Sequence, residues 1–248
     1  MRIDFYYFSY QCPLNDNMLR LLDEYKDKSE IYIHDFSENR QIAEQMKIYF
    51  PTLTVLDGNK RYYSPLNKSF MEQVSQGVYP IECPYLPEQS DKVAEYYIKP
   101  IKLSDIDDAC ACCGSRTESN CCKKKSFLEK SRQNIYGFIH TDSNGNLVGG
   151  AEYLPANSVP YNVPHNDDIA FITCVYMSDS EFDYKTVPLK ALEKYLKEKY
   201  SKVIAVSDEK GVFPNGNLEF FMRNGYTDEG IIFEDPNYCR LHLVSKKL

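Results

Sequence analysis

Three prolines fall within ten residues at Tyr79-Pro80-Ile81-Glu82-Cys83-Pro84-Tyr85-Leu86-Pro87-Glu88. Each proline fixes φ and removes a backbone donor, so the stretch reads as an extended connector, neither helix nor inner strand. The chain therefore divides into residues 1–78, a linker at 79–92, and residues 93–248. Its 248 residues suit two modest units, and 43% hydrophobic with 26% charged residues gives each an apolar core and a wet surface. No apolar run approaches the roughly 20 residues that cross a bilayer. The start, MRIDFYYFSYQCPLND, lacks the basic-then-apolar pattern of a secretory leader. The expectation is a cytoplasmic protein with no membrane partner. A net charge of −7 argues against a nucleic-acid partner. The one cationic run, Lys123-Lys124-Lys125, reads as solvated surface.

The first segment alternates strand and helix signals. Ile3 to Phe8 is an aromatic and β-branched run. Leu14, Met18, Leu21, Leu22 and Tyr25 then share one face of a helix, with Pro13 tolerated at its start. Ile31 to Phe36 reads as a strand and Glu38 to Lys47 as a helix. Thr52 to Leu56 and Arg61 to Leu66 read as strands paired around Asp57-Gly58-Asn59-Lys60. A helix over Phe70 to Gln76 stops at Gly77. This order resembles the thioredoxin fold. Cys12 followed by Pro13 stands where the first strand meets the first helix, Ile31 to Phe36 looks like the second strand, and Phe50-Pro51-Thr52 looks like the turn opening the third. The resemblance implies a thiol site at Cys12 with Pro51 against it, and a cis bond before Pro51. Where that family has C-x-x-C, the fourth position here is Asn15. A helix N-terminus would still favour the Cys12 thiolate. Two readings stay open: a monothiol site for exchange, glutathione or a soft metal, and a module used for docking or structure.

The remaining segment opens with a strand over Tyr96 to Leu103 and a helix over Ser104 to Cys113, with Ser104 as N-cap. A second helix is expected over Phe127 to Arg132. Ile135 to His140 and Leu147 to Tyr153 form a hairpin around Asn144-Gly145. After a loop with Pro155, Pro160 and Pro164 comes a strand at Ile169 to Met177. Val187 to Tyr200 is an amphipathic helix carrying Leu189, Leu192 and Leu196. Lys202 to Val206, a helix over Asn217 to Arg223 closed by Asn224-Gly225, and strands at Ile231 to Glu234 and Tyr238 to Val244 complete the chain.

Residues 93–248 resemble the GNAT family of N-acetyltransferases, most specifically at Asn217-Leu218-Glu219-Phe220-Phe221-Met222-Arg223-Asn224-Gly225-Tyr226. Gly149-Gly150-Ala151 looks like the end of that family's third strand, and Phe171 to Met177 like its fourth. The resemblance implies a mixed-sheet acyltransferase domain that takes acetyl-CoA and a small-molecule amine. Its fourth strand would part from its neighbour and hydrogen-bond the pantetheine arm through Thr173, Val175 and Met177. The following helix would meet the pyrophosphate through Lys185, Thr186 and Val187, because the first amides of a helix have no partner and its dipole favours an anion. Two departures stand out. The family's glycine-rich pyrophosphate loop is replaced by Tyr184-Lys185-Thr186-Val187-Pro188-Leu189, and the tyrosine that serves as general acid falls on Phe221. Tyr226 and Tyr238 are near in sequence. Cys174, on the expected cofactor strand, could serve as an acyl-accepting nucleophile.

Five of nine cysteines lie in DACACCGSRTESNCC, residues 108–122. Cys110 and Cys113 share a helix face at three-residue spacing, and Cys121 and Cys122 return after Gly114. Cys110, Cys113 and one or both of the later pair could hold zinc or another soft metal. Reactive thiols and ordinary reduced cysteines are the other readings. His34, His140, His165 and His242 show no ligand spacing. Two function classes follow: an acyl-CoA-dependent N-acyltransferase, and a non-catalytic thiol- or metal-binding sensor on the same frame.

Overall fold

The computed structural model describes residues 1–82, 84, 86, 88, 90–92, 94–95, 97–110, 118–178, 180–211 and 215–248, with the backbone only at 108–109 and 118–120. The chain forms two compact units. One comprises Met1–Pro84, Thr117–Phe127 and Pro160–Asn162; the other comprises Tyr85–Arg116, Leu128–Val159 and Val163–Leu248. Among the described residues no helix is long and apolar enough to cross a membrane.

The first unit runs β1 (Arg2–Tyr7), α1 (Leu14–Glu24), β2 (Glu30–Asp35), α2 (Arg40–Gln45), β3 (Thr52–Leu56), β4 (Lys60–Tyr62) and α3 (Lys68–Ser75). Its sheet has the order β2-β1-β3-β4, with β1 parallel to β2 and antiparallel to β3. Ile3 and Phe5 project from one face of β1. They bury against Met18 and Leu22 of α1, Leu56 of β3, and Met71 and Val74 of α3. Full burial of such side chains is worth about 1.5–3 kcal/mol each, so this layer carries the unit. Phe8, just past β1, packs against Phe36, Phe127 and Tyr161 with ring centroids 6.1, 5.4 and 5.5 Å away. Asn39 and Asn67 cap α2 and α3 by accepting the Ile42 and Phe70 N–H groups. Gly77, at φ +79°, ends the turn after α3.

Two expectations in this unit are corrected. The strand expected to reach Leu66 stops at Tyr62, because the Glu82 carboxylate accepts the N–H groups of Tyr63 (2.9 Å) and Ser64 (2.5 Å). The cis bond expected before Pro51 is absent: the described peptide bonds are all trans.

The second unit contains β5 (Tyr97–Ile101), α4 (Ile106–Cys110), β6 (Gly137–Thr141), β7 (Leu147–Pro155), β8 (Ile169–Met177), α6 (Thr186–Leu196), β9 (Lys202–Asp208), α7 (Leu218–Arg223), β10 (Thr227–Asp235) and β11 (Cys239–Lys247). Helix α5 (Glu118–Glu129) falls between α4 and β6, and its residues up to Phe127 belong to the first unit. The seven strands form a mixed sheet in the order β10-β11-β9-β8-β7-β6-β5. Every neighbouring pair is antiparallel except β8 and β9. Leu189, Leu192 and Leu196 of α6 bury against Ala151, Tyr153, Ile172, Val175, Val203 and Ala205. Ser104 does not cap a helix. The entry is a 3-10 turn at Leu103–Asp105, where the Ser104 hydroxyl donates to the Asp105 carboxylate (3.1 Å), and the α-helical part begins at Ile106. The second helix is longer than the expected Phe127 to Arg132: it starts at Glu118 and closes before Arg132, which has φ +51°.

Candidate functional site

Among the described residues, the one parallel strand pair of the second unit is incomplete. β8 and β9 stay in register from Ile169↔Lys202 to Ile172↔Ala205, and there the pairing ends. β8 continues to Met177 and β9 to Asp208. The cause is local to β8. Glu152 of β7 lies opposite Cys174, while its neighbour Tyr153 lies opposite Ile172, which leaves Thr173 as an extra residue. Such a bulge bends its strand and increases its twist. It also resets which way the side chains point: Ile172 and Val175, three residues apart, both join the core beneath α6. In an unbroken strand they would face opposite ways.

Two backbone groups turned toward the resulting gap share a partner within the chain. The Val175 N–H donates to the Asn215 side-chain oxygen (3.0 Å), and the Asn215 side-chain N–H donates to the Val206 carbonyl (3.1 Å). Asn215 is fully buried. One carboxamide thus spans the two strands where their own ladder has lapsed. The segment around it is tied down further: the Ser207 hydroxyl donates to the Gly216 carbonyl (3.0 Å), and Asp208 bridges to Asn217. Gly216 has φ +115°, a conformation that glycine tolerates and that L side chains rarely adopt.

At the mouth of the gap stands the N-terminus of α6. The Asp183 carboxylate accepts the N–H groups of Lys185 (3.0 Å) and Thr186 (2.9 Å). It fills the role of an N-cap and suits the positive end of the helix dipole. Pro188, within the first turn, has no N–H to offer. Lys185 is buried, its ammonium beside Gly216 and 5.8 Å from the centre of the Phe220 ring. Thr186 accepts from the Asn224 amide (3.4 Å), and Val187 is half-buried in the first turn. Over β7 the packing is close. A side chain at Gly149 would meet the Tyr184 carbonyl at 2.3 Å, and one at Gly150 would meet the Tyr176 ring at 2.5 Å. Tyr184 in turn sets its ring edge-on to buried His140, at 5.5 Å.

The structure therefore brings Thr173, Val175, Lys185 and Thr186 around one gap, with Met177 at the far end of β8. Phe221 is fully buried against Tyr226, at 5.0 Å. Tyr226 is itself core; burial, with the nearby Glu193 carboxylate, pushes its phenol well above the ordinary range. Tyr238 lies in the β10–β11 turn, its N–H donating to Asp235. Cys174 is half-buried and opposite buried Glu152. Asn215 and Asp183 escaped the sequence reading. Asn215 stands far from β8 in the chain, and a lone aspartate before a helix is a common cap.

The thiol residues are more dispersed. Cys12 is half-buried ahead of α1, and the Phe8 N–H donates to the Pro51 carbonyl (2.9 Å), which sets the loop after β1 beside the start of β3. Asn15 donates to the Ser9 carbonyl (2.6 Å). Cys110 is buried at the end of α4. Cys121 is buried and Cys122 exposed on α5, as adjacent helix positions must diverge. Cys113 lies outside the described residues. Among the described residues no group of three His, Cys, Asp or Glu side chains is arranged to hold a metal ion.

No family model matches the chain, and no curated protein matches it. Solved structures do. A GNAT-family acetyltransferase from Streptococcus pneumoniae aligns over 62% of this chain and 99% of its own, at 11% identity and a TM-score of 0.46. A GNAT-superfamily phosphinothricin acetyltransferase from Sinorhizobium meliloti, solved in complex with AcCoA, aligns over 62% and 88%, at 12% identity and a TM-score of 0.45. An aminoglycoside 6'-N-acetyltransferase complexed with coenzyme A aligns over 61% and 96%, at 12% identity and a TM-score of 0.42.

Proposed function

We propose that the second unit is an acyl-CoA-dependent N-acyltransferase acting on a small amine. The observation that carries the reading is the gap between β8 and β9, opened by the bulge at Thr173. The donor set suits the ligand in kind. The Val175 N–H and the Val206 carbonyl already hold a carboxamide, and the first amides of α6 already hold a carboxylate. A pantetheine arm offers amides and a pyrophosphate offers anionic oxygens, so both halves of acetyl-CoA match what these groups bind. When bound, acetyl-CoA supplies an activated thioester. The chain's share is to align thioester and amine, and such alignment can account for about 7–11 kcal/mol of a bimolecular barrier. Phe221 has no proton to give, so the departing thiolate takes its proton from water or from the amine itself.

The first unit supports a thioredoxin-like reading through its strand order and its strand–helix–strand–helix–hairpin–helix succession. Cys12 with Asn15 in the fourth position makes it a monothiol or docking module. The soft-metal reading of the cysteines is tested by metal content after reducing purification and by stability on chelation. The protein is proposed to act on small molecules, without a nucleic-acid or membrane partner.

A second reading, a non-catalytic binding protein on the same frame, is favoured by the occupancy of the gap by Asn215 and of the helix end by Asp183. Titration calorimetry with acetyl-CoA separates the two: micromolar affinity supports the transferase, and no heat at millimolar ligand supports the binding protein.

A further inference from the structure

The gap between β8 and β9 and the end of α6 are each satisfied by a side chain whose chemistry copies one half of the expected ligand. Asn215 offers an amide oxygen to Val175 and amide hydrogens to Val206. Asp183 offers one anionic oxygen to two helix amides. Neither is a casual surface contact. Asn215 is fully buried, between the Val175 and Val206 backbone groups and beside Gly216, whose carbonyl is held by Ser207. Asp183 is held in turn by its own N–H, which donates to the Lys92 carbonyl (2.9 Å). A ligand that reaches for the Val175 N–H or for the Lys185 and Thr186 amides meets side chains already bonded there. It must exchange with them, and exchange returns only the difference between two similar bonds.

We infer that the slot is self-occupied: Asn215 stands in for the pantetheine amide and Asp183 for the pyrophosphate, and together they set how weakly the unit binds acyl-CoA. This rests on the transferase reading of the same gap. The two side chains act on different parts of the ligand. Asp183 opposes any ligand that brings a pyrophosphate to α6, by like charge as well as by competition for the amides. Asn215 opposes only ligands that carry the pantetheine arm.

Two variants and two probes test this in the full chain. Asp183→Asn keeps an acceptor for the same two amides and removes the charge. Asn215→Ser withdraws the bridging amide. The probes are acetyl-CoA and 3′-phospho-ADP, which has the pyrophosphate without the arm. The expected result is that Asp183→Asn binds both probes about tenfold tighter than the native chain, while Asn215→Ser gains about tenfold for acetyl-CoA alone. If Asn215→Ser fails to fold, Asp183→Asn carries the test. Micromolar acetyl-CoA binding by the native chain, with equal or weaker binding by the variants, overturns the self-occupied slot and leaves the transferase reading standing. No binding of either probe by any of the three proteins at millimolar concentration overturns both.

Discussion

Asn15 is fully buried, and its side-chain N–H holds the Ser9 carbonyl at 2.6 Å, where Ser9 itself has φ +38°. Replacing it with alanine leaves that carbonyl without its donor. The expected cost for Asn15→Ala is about 1–2 kcal/mol, read from urea unfolding. One residue further on, Asp16 is buried between Arg20 (2.5 Å) and Lys123. Burial by itself pushes its carboxyl up. The hydrogen bond and charge of Lys123, and the charge of Arg20, outweigh burial and hold it below the ordinary aspartate range. The folded value is therefore below the unfolded one. The stabilisation from Asp16 is present above the unfolded pKa and is lost as pH falls through the folded one. Asp16→Asn is expected to flatten the fall in stability with pH below about 4, measured by thermal melts over an acid series. Lys123→Ala is expected to cost about 1–2 kcal/mol, less than the roughly 3–5 of a fully buried pair, because the lysine end is 41% exposed.

At the scale of elements, β8 and β9 form the gap, opened by the bulge in β8. The bulge at Thr173 was beyond the reach of pattern reading, because Ile172-Thr173-Cys174-Val175 has no alternation to break. The helix end shows the same limit. The leucine stripe of α6 locates the helix, but the Asp183 cap follows from a loop geometry that no periodicity reports. Asp183→Ala is expected to cost about 1 kcal/mol of stability by urea unfolding, in line with the loss of an N-cap. On β7, Gly149→Ala would set a methyl group 2.3 Å from the Tyr184 carbonyl, a backbone atom that cannot swing away. A cost of about 2–4 kcal/mol is expected, seen as a fall in melting temperature.

For the whole molecule, each unit is assembled from separated stretches of the chain. The first unit closes with Thr117–Phe127 and Pro160–Asn162, supplied from beyond the proline-rich stretch, and Phe8 packs against Phe127 and Tyr161 from those pieces. A fragment of residues 1–84 would leave Phe8 and Phe36 without that cover. It is expected to bind a hydrophobic dye and to unfold at lower urea than the same unit in the full chain, followed by tyrosine fluorescence.

Local sequence carried most of the elements. Aromatic and β-branched runs marked strands, 3.6-residue stripes marked α1 and α6, and Gly77 and Asn224-Gly225 marked stops, because each signal depends on neighbours within a turn or a pleat. The same residues carried the resemblance that pointed to β8 and the start of α6. The end of β4, the bulge and the partner of Val175 were decided by tertiary structure. Each depends on a hydrogen-bond partner or a strand register contributed from elsewhere in the fold: Glu82 for Tyr63, Glu152 for Cys174, Asn215 for Val175. The chain's own pattern selects the surfaces to be buried; which polar group meets which backbone donor is settled only when those surfaces close.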